Sequence, residues 1–260
     1  MKYLNLNKRK ITLLSIGTVC FIIFLLMTIP ASLGWQYVPV QVKKQIQLSG
    51  LQGSIWNGTA AASYINGQDT GQLNWQVSPF AFFVGKLGIT FKLVGKSGSI
   101  SGDLMMNETS ISASNIKSNM RASFFNVFLA KQLPLPVMLQ GKINAELDSL
   151  YFERGKQIQL AGSILWHNAE LHGVQTIQLG KVTINVDETE SGSNIKVTNK
   201  DNPLEIKGNI TLNNNGHYDI NIGLLNRDKS RKDLNDMLNF LGQADSSGRR
   251  YFKQKGVLRI

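Results

Sequence analysis

Residues Leu204 to Ile222 read LEIKGNITLNNNGHYDINI and contain two alternating runs separated by a turn. Apolar residues occupy every second position on either side of the turn, so each run has one apolar and one polar face, which predicts β-strands. Asn215-Gly216 lies between the runs, and this dipeptide is typical of a tight hairpin. The stretch therefore predicts two antiparallel strands joined by a short connection.

The same alternation recurs along most of the chain after Gly50. It is clearest in Leu87–Leu93, Ile143–Leu147, Ile158–Leu160, Val182–Val186 and Ile195–Val197. Turn-forming residues separate these segments at 95–98, 187–192 and 201–203. Strands with tight connections form a meander, and its apolar face must curl on itself, pack as a sandwich or be covered by helices. The pattern therefore predicts a mainly β domain built on an antiparallel sheet.

Three segments have helical patterns instead. Ser78–Gly85 combines a serine N-cap, a proline at the first helical position and a closing glycine. Residues 123–131 carry a one-sided stripe of phenylalanine and leucine that ends before a proline. Ser230–Leu241 has leucine and methionine at helical spacing, with Ser230 and Asp233 predicted as an N-cap pair and Gly242 as the stop. We expect these helices to cover the edges or the open face of the sheet.

The N-terminal segment Ile11–Ile29 is apolar and contains nineteen residues without a charge. As a helix it would be about 28 Å long, close to the hydrocarbon thickness of a bilayer. A cleaved secretory signal fits less well, because residues 29–31 do not form a small-x-small cleavage site. Lys8, Arg9 and Lys10 precede the segment, and the next basic residue after it is Lys43, which places the N-terminus in the cytoplasm.

These features divide the chain into four parts. Residues 1–10 form a basic cytoplasmic tail, residues 11–30 a transmembrane helix, residues 31–48 a linker, and residues 49–260 a β-rich domain on the far side, in the periplasm of a cell with two membranes. The stretch from Val38 to Leu48 is compatible with one or two helical turns or with an extended linker. The expected localisation is a single-pass protein of the cell inner membrane.

The charge and cysteine content exclude several functions. The net charge is +11, of which the first 30 residues supply four, leaving 24 basic and 17 acidic residues, or +7, in the rest. This excess is not gathered into a basic tract with interleaved aromatics, so no nucleic-acid partner is expected, and a weakly basic surface favours anionic lipid or an acidic protein. Cys20 is the only cysteine and lies in the apolar segment, which excludes an intrachain disulfide.

The residue patterns do not indicate an enzyme, a cofactor or a metal. Neither a Gly-x-Ser-x-Gly elbow nor a phosphate-binding glycine loop occurs. His167 and His172 are five residues apart, which is wrong for a shared metal on one strand. The acidic residues at 187–190 are typical of a solvated turn. Trp56, Trp75 and Trp166 fit a sheet core or edge, while stacking on a sugar or lipid stays an alternative.

A short motif and its surroundings resemble a known family. The motif is Gly53-Ser-Ile-Trp56-Asn-Gly58-Thr-Ala60, and Gly71-Gln-Leu-Asn-Trp75 and Gly162-Ser-Ile-Leu-Trp166 echo it, each with a glycine that we expect at a strand start. With the N-terminal anchor and the C-terminal helix, this order resembles type II secretion system protein N, also called general secretion pathway protein N, over essentially the whole chain.

The resemblance implies a non-catalytic accessory component of the inner membrane, within the machinery that carries folded proteins across the outer membrane. It also implies a curved, AsmA-like β-domain. Partners would be other secretion subunits of the inner membrane and also of the outer membrane, together with membrane lipid. Gly53, Trp56, Gly58, Trp75 and Trp166 are the motif and contact residues. The alternative function is an AsmA-like lipid-handling protein, and a third is a cell-wall-binding module using the tryptophans.

Overall fold

The computed structural model describes residues 8–129, 137–153, 157–173 and 176–257. Its strands are β1 (Ile46–Gly53), β2 (Asn57–Ile65), β3 (Gln68–Ser78), β4 (Leu87–Gly95), β5 (Gly98–Met106), β6 (Ser110–Arg121), β7 (Met138–Glu153), β8 (Gln157–His172), β9 (Thr176–Thr189), β10 (Gly192–Lys200), β11 (Leu204–Asn213), β12 (His217–Asn226) and β13 (Arg250–Val257). Within the described ranges they form one open antiparallel sheet of thirteen strands.

The spatial order of the strands is their order along the chain, so every strand pairs with the strands that precede and follow it in sequence. β1 and β13 are the two edges of the sheet. The predicted hairpin is confirmed: β11 pairs with β12 antiparallel, and Gly216 N–H donates to Asn213 O at 2.9 Å. The mainly β, antiparallel fold predicted from the alternating runs is therefore confirmed.

Apolar residues on neighbouring strands lie side by side on one face of the sheet, which we call the apolar face. On β3, β4 and β5, Leu73 pairs with Leu93 and Leu93 with Ile100. On β10 and β11, Ile195 pairs with Ile210. Because side chains alternate between faces, these pairings collect the apolar residues of each strand on the same side.

A hydrogen bond links β8 and β10 near the end of β9. Leu160 N–H on β8 donates to Ser193 Oγ on β10 at 2.8 Å, although β9 lies between these strands over most of their length. The Ser193 side chain is buried at this point. β8 and β10 therefore come into direct contact.

The described helices are α1 (Lys8–Met27), α2 (Ala31–Gln36), α3 (Val40–Gln45), α4 (Pro79–Phe82), α5 (Asn126–Leu129), which follows a 3-10 turn at Ala122–Phe125, and α6 (Lys232–Asn239). No helix in the ranges described is both long and apolar enough to cross a membrane. α2 and α3 fall in the region expected to be a linker, and β1 begins inside it, at Ile46. Part of the predicted helix 123–131 lies outside the described residues.

α6 covers the apolar face of the C-terminal strands and builds the main core. Leu234 and Leu238 of α6 pack with Val182, Leu204 and Ile206. The predicted N-cap pair is wrong: Arg231 occupies the N-cap position without a side-chain cap. The Ser230 hydroxyl donates instead to Asp228 at 2.6 Å, because that carboxylate lies within the same tight turn.

Candidate functional site

Four of the five predicted site residues meet at one end of the sheet. Gly53 ends β1, Gly58 stands opposite it on β2, and Trp75 of β3 is paired with Gly58. Trp56 lies in the short connection between β1 and β2. We call residues 53–58 the junction loop, because this loop joins the sheet to the N-terminal helix.

Gly53 permits the tight turn of the junction loop. Its φ of +80° is a conformation that residues with a Cβ rarely adopt. A Cβ here would also lie 2.5 Å from Asn57 O, so the next strand leaves no room for a side chain. Ser54 Oγ accepts hydrogen bonds from the N–H groups of Trp56 and Asn57, at 3.3 and 3.1 Å. The motif therefore encodes a rigid turn.

Gly58 makes space for the Trp75 ring. A Cβ at Gly58 would overlap the ring, so a glycine is needed for the indole to lie flat across β2. The Trp75 indole N–H donates to Ile55 O at 3.1 Å. A tryptophan usually needs such a partner when it is buried or half-buried. Trp75 thereby fixes the position of the junction loop over the sheet.

The junction loop holds the C-terminal end of α1. The Trp56 indole N–H donates to Leu26 O at 2.8 Å, and Ile55 N–H donates to Ile29 O at 3.0 Å. Ser54 also forms an isolated antiparallel bridge with Pro30. The last carbonyls of a helix lack partners within the helix. The loop supplies such partners and ties α1 to the sheet.

An aromatic contact extends this junction to the connection between β3 and β4. The rings of Trp56 and Phe82 meet edge to face, with centroids 5.6 Å apart and an interplanar angle of 75°. Phe82 is the last residue of α4. Sequence reasoning assigned this phenylalanine to a helix but did not connect it with Trp56, because the two are far apart in sequence and no local pattern reports the contact.

Trp166 does not join this cluster. Its indole N–H donates to Gln140 O at 2.8 Å, and its ring packs against the core under α6. β3 and β8 are five strands apart, which is about 24 Å at a spacing of 4.8 Å. The three tryptophans therefore do not form one aromatic platform.

The expectation that each echoing glycine starts a strand is wrong. Gly53 closes β1, while Gly71 and Gly162 lie inside β3 and β8. Gly71 and Gly162 have positive φ values of +87° and +140°. Such residues accommodate bulges in the ladder, and the register of the neighbouring pairing shifts beside both.

Potential metal ligands do not cluster in the part of the chain that is described: no three His, Cys, Asp or Glu residues are placed to share an ion. His172 and Glu170 form a pair, with Nε2 and Oε2 2.9 Å apart. The acids at 187–190 lie at the β9–β10 hairpin and are exposed.

A buried carboxylate near the other end of the sheet was missed by sequence reasoning. Glu205 on β11 is surrounded by Arg227 at 2.8 Å, Lys207 at 3.1 Å and Arg249 at 3.2 Å. The hydrogen bond from Arg227, assisted by Lys207 and Arg249 and opposed by burial, lowers the Glu205 pKa to about 2. This cluster joins β11, the segment after β12 and the residue before β13. Arg227 and Arg249 are distant from Glu205 in sequence, so no motif predicts the cluster.

The geometry first defines a class of protein, an open antiparallel meander held at one end to a separate apolar helix. The chain belongs to the type II secretion system protein N family, since the family described as Type II secretion system (T2SS), protein N, matches residues 44–253. The match includes the junction loop and most of the sheet but not α1.

Two relatives carry the name type II secretion system protein N. The protein from Vibrio cholerae serotype O1 is 25% identical over 236 residues, which cover 85% of this chain and 88% of the relative. The protein from Aeromonas hydrophila is 21% identical over 252 residues, which cover 96% and 99%. No solved structure matches the chain.

Proposed function

We propose that this chain is a non-catalytic accessory component whose sheet docks on other subunits and whose N-terminal segment anchors it in the inner membrane. Family membership makes the chain a component of the type II secretion system, and such a component has other secretion subunits as partners. The anchoring, the docking edge and the absence of catalysis belong to the proposal. The observation that carries it is the open sheet, which is tied to the apolar segment at one end and has an exposed edge strand at the other.

The exposure and apolar character of α1 support its role as a membrane anchor. Its side chains from Ile11 to Met27 are all exposed, and apolar side chains are present on every side of the helix. A helix that is hydrophobic all round needs an apolar environment. The hydroxyls of Ser15, Thr18 and Thr28 each donate to the carbonyl four residues earlier, at 2.9 Å. Hydroxyls satisfied within the helix are the arrangement that lipid requires.

The length of α1 is compatible with this role if its flanks take part. Residues Ile11–Met27 rise about 26 Å, a few ångströms less than a typical hydrocarbon core of about 30 Å. Local thinning of the bilayer and long basic side chains that reach the headgroups accommodate a mismatch of this size. Thr28 and Ile29 continue the uncharged run, and Lys8–Lys10 supply the basic flank.

In the proposed orientation, the N-terminus is cytoplasmic and the sheet is periplasmic, because Lys8–Lys10 have no basic counterpart after the segment before Lys43. Alkaline extraction of membranes should leave the protein in the pellet. A phosphatase reporter fused after Ile260 should be active in the periplasm. Activity of a cytosolic reporter at that position would contradict the orientation.

The two edges of the sheet differ in a way that favours β13 as the docking edge. β1 is flanked by α2 and α3 and is distorted by Gly50 and Gly53, both with positive φ. β13 is exposed along most of its length, and in the described residues it has only β12 beside it. An exposed edge can accept a strand from a partner.

The charge of β13 indicates the kind of strand it would accept. Arg250, Lys253 and Lys255 lie on it, and the sequence from 246 to 260 has no acidic residue. Lys255 already pairs with Asp219 on β12 at 2.7 Å, whereas Lys253 lies over the Tyr251 ring at 5.4 Å. A partner strand with an acidic residue opposite Lys253 would be stabilised by a cross-strand pair.

A crosslinking experiment tests the docking edge. A photoreactive phenylalanine analogue at position 252, on β13, should crosslink in cells to other subunits of the secretion system, identified by mass spectrometry. The same analogue at position 111 is the control, since Ile111 is 42% and Phe252 40% exposed but Ile111 lies on the interior strand β6. Equal crosslinking from both positions, or none from 252 in secreting cells, would contradict docking through β13.

One observation favours the alternative of a lipid-handling protein. Apolar side chains line the apolar face over many strands, and several of them, such as Ile89, Phe91 and Ile220, are only half-buried. A face of this kind could hold acyl chains. Extraction of the purified protein distinguishes the two functions: about one phospholipid per chain favours lipid handling, and no bound lipid favours the docking component.

A further inference from the structure

The connection between β3 and β4 exposes four apolar side chains in five residues. We call residues 79–85 the phenylalanine loop; it comprises α4 and the turn that follows. Phe80 is 80% exposed, Phe83 86% and Val84 70%, and Phe82 is exposed beyond its contact with Trp56. The loop carries no charge, and Lys86 follows it. Soluble surfaces rarely present aromatic residues so densely, so this patch indicates a contact with another apolar phase.

Backbone hydrogen bonds within the loop and one small contact with the sheet hold its shape. Gly85 N–H donates to Phe82 O at 3.0 Å, and Lys86 N–H donates to Ala81 O at 2.9 Å. Ala81 is buried and faces Gly88 of β4. Since the alanine contacts the sheet, Phe80 and Phe83 project outward, while Phe82 rests against Trp56.

Position relative to α1 identifies what the loop would contact. Phe82 touches Trp56, and Trp56 donates to Leu26 O, so one aromatic ring separates the loop from the last turn of α1. Leu26 lies three residues before Ile29, the end of the apolar segment Ile11–Ile29. If α1 spans the bilayer, the loop therefore lies at the level where hydrocarbon meets headgroups.

Side chains in the residues that follow α1 have the character of a membrane interface. Tyr37 and Val40 are exposed in the segment that follows α1, and Leu33 is exposed on α2. Lys43 donates to Gln36 O at 2.8 Å, so a cation lies at the edge of this segment. Aromatic rings with nearby lysines are typical of residues that sit among lipid headgroups.

We propose that the phenylalanine loop inserts into the outer leaflet of the inner membrane beside α1 and fixes the sheet against the bilayer. Lipid is the occupant because the patch continues directly from the helix end that the proposed function places in the membrane. The inference thus rests on the proposed anchor. Attachment through both α1 and the loop restricts rotation and tilt of the sheet relative to the membrane. Attachment through α1 alone would leave the sheet free to rotate about the helix.

The test places a single polarity-sensitive label on the full chain in vesicles of phosphatidylethanolamine and phosphatidylglycerol. Cys20→Ser removes the native thiol, and Phe83→Cys introduces the labelling position. Phe240→Cys is the matched control, because Phe240 is 92% exposed and also follows a short helix, α6. Lipid carrying a nitroxide high on its acyl chain should quench the label at 83 severalfold more than at 240, and aqueous iodide should show the reverse order.

The possible outcomes separate the inference from the anchor. If alkali extracts the parent Cys20→Ser chain from the vesicles, the anchor fails and the inference falls with it. If the chain is retained but iodide quenches both positions equally, only the inserted loop is wrong. Shielding of position 83 from iodide and nitroxide alike would mean that protein, such as a second copy of the chain, covers the loop, and would also overturn it. Phe80→Cys gives a second position if the first variant folds poorly.

Discussion

α4 and α6 are two short helices with apolar side chains, but they use those side chains in opposite ways. α6 buries Leu234 and Leu238 against the sheet, whereas α4 buries only Ala81 and turns its phenylalanines outward. The difference comes from what lies beneath each helix. α6 crosses an apolar face several strands wide, and α4 meets Gly88 beside the junction. Apolar composition therefore marks a contact surface, and the neighbouring strands decide whether the contact is internal.

The largest loss of stability is expected from a substitution in α6, the helix whose apolar side chains are buried. Leu238→Ala removes a side chain that is 1% exposed in the core, and it should lower the free energy of unfolding by about 2–5 kcal/mol. Urea unfolding in detergent, followed by tryptophan fluorescence, measures the loss. Phe240→Ala, two residues further along, is the control and should change stability little. Comparable losses from both would mean that α6 does not cover the core as described.

The second largest loss of stability is expected from a steric clash introduced into the junction loop. Gly53→Ala introduces a Cβ at positive φ and against Asn57 O, so we expect a loss of about 2–3 kcal/mol. Gly67→Ala is a matched control, because Gly67 has a φ of +81° but open space around it, and it should cost about 1 kcal/mol. The difference between the losses of unfolding free energy in the two variants measures the cost of the steric clash at Gly53 alone. Equal costs would show that the junction loop is not tightly packed.

The charged cluster at Glu205 predicts a loss of stability in acid. Its pKa is lowered in the folded chain from 4.5 to about 2, so its stabilisation is complete above pH 4.5 and is lost as the pH falls toward 2. Since Lys207 and Arg227 are solvent-exposed, we discount the effect to about 1–2 kcal/mol. Urea midpoints measured across this range should fall for the unmodified chain.

Glu205→Gln supplies the comparison for this pH dependence. The variant should be less stable at neutral pH and should lose less on acidification, because the titrating group is gone. Glu188→Gln removes an exposed glutamate at the β9–β10 hairpin and serves as the control. If the Glu205→Gln variant loses as much stability in acid as the unmodified chain, the pH dependence comes from other carboxylates.

A pair of tryptophan substitutions distinguishes the junction from the core. Trp56→Phe and Trp166→Phe each remove one indole hydrogen bond of 2.8 Å to a carbonyl, worth about 1 kcal/mol. Trp166→Phe should lower the global unfolding free energy. Trp56→Phe should instead speed hydrogen exchange at the Ile55 amide, which bonds Ile29 O. Unchanged exchange at Ile55 would mean that Trp56 does not hold α1.

The smallest effect on stability is expected at the phenylalanine loop. Phe83→Ser should change the free energy of unfolding in detergent by less than about 0.5 kcal/mol, because exposed residues contribute little to the fold. The same urea experiment measures it, with Leu234→Ser in α6 as the contrasting variant. A large loss in Phe83→Ser would mean that this ring packs inside the protein.

The alternating runs predicted the sheet well where the strands have one apolar face. Leu87–Leu93 and Val182–Val186 lie inside β4 and β9, and the Asn215-Gly216 turn joins β11 and β12. β5 and β6 were not predicted, because serine, glycine and asparagine interrupt their alternation. Asn115, with φ of +52°, marks a shift of register between them. Bulges of this kind break the period of two on which the prediction depends.

The candidate site was predicted only as a set of motif residues. The pairing of Gly53 with Gly58, and of Gly58 with Trp75, follows from two successive hairpins and was within reach of sequence reasoning. The bond from Trp56 to Leu26 and the contact with Phe82 were not, because they join segments about 30 residues apart without a shared pattern. The exposure of the phenylalanines could not be predicted from the sequence either, because closely spaced aromatic residues usually pack in a core.

Because each described strand pairs in the ladder only with the strands next to it in sequence, the sheet can assemble in the order in which the chain is synthesised. Every new hairpin adds to an edge that already exists, and no strand waits for a distant segment to close the structure. Local pairing of this kind keeps loop-closure entropy low and favours rapid folding. Among the described strands β13 is added after the others, and it is also an exposed edge. A nascent domain thus presents an unfinished edge at every stage, and the basic residues of β13 lie on one such edge.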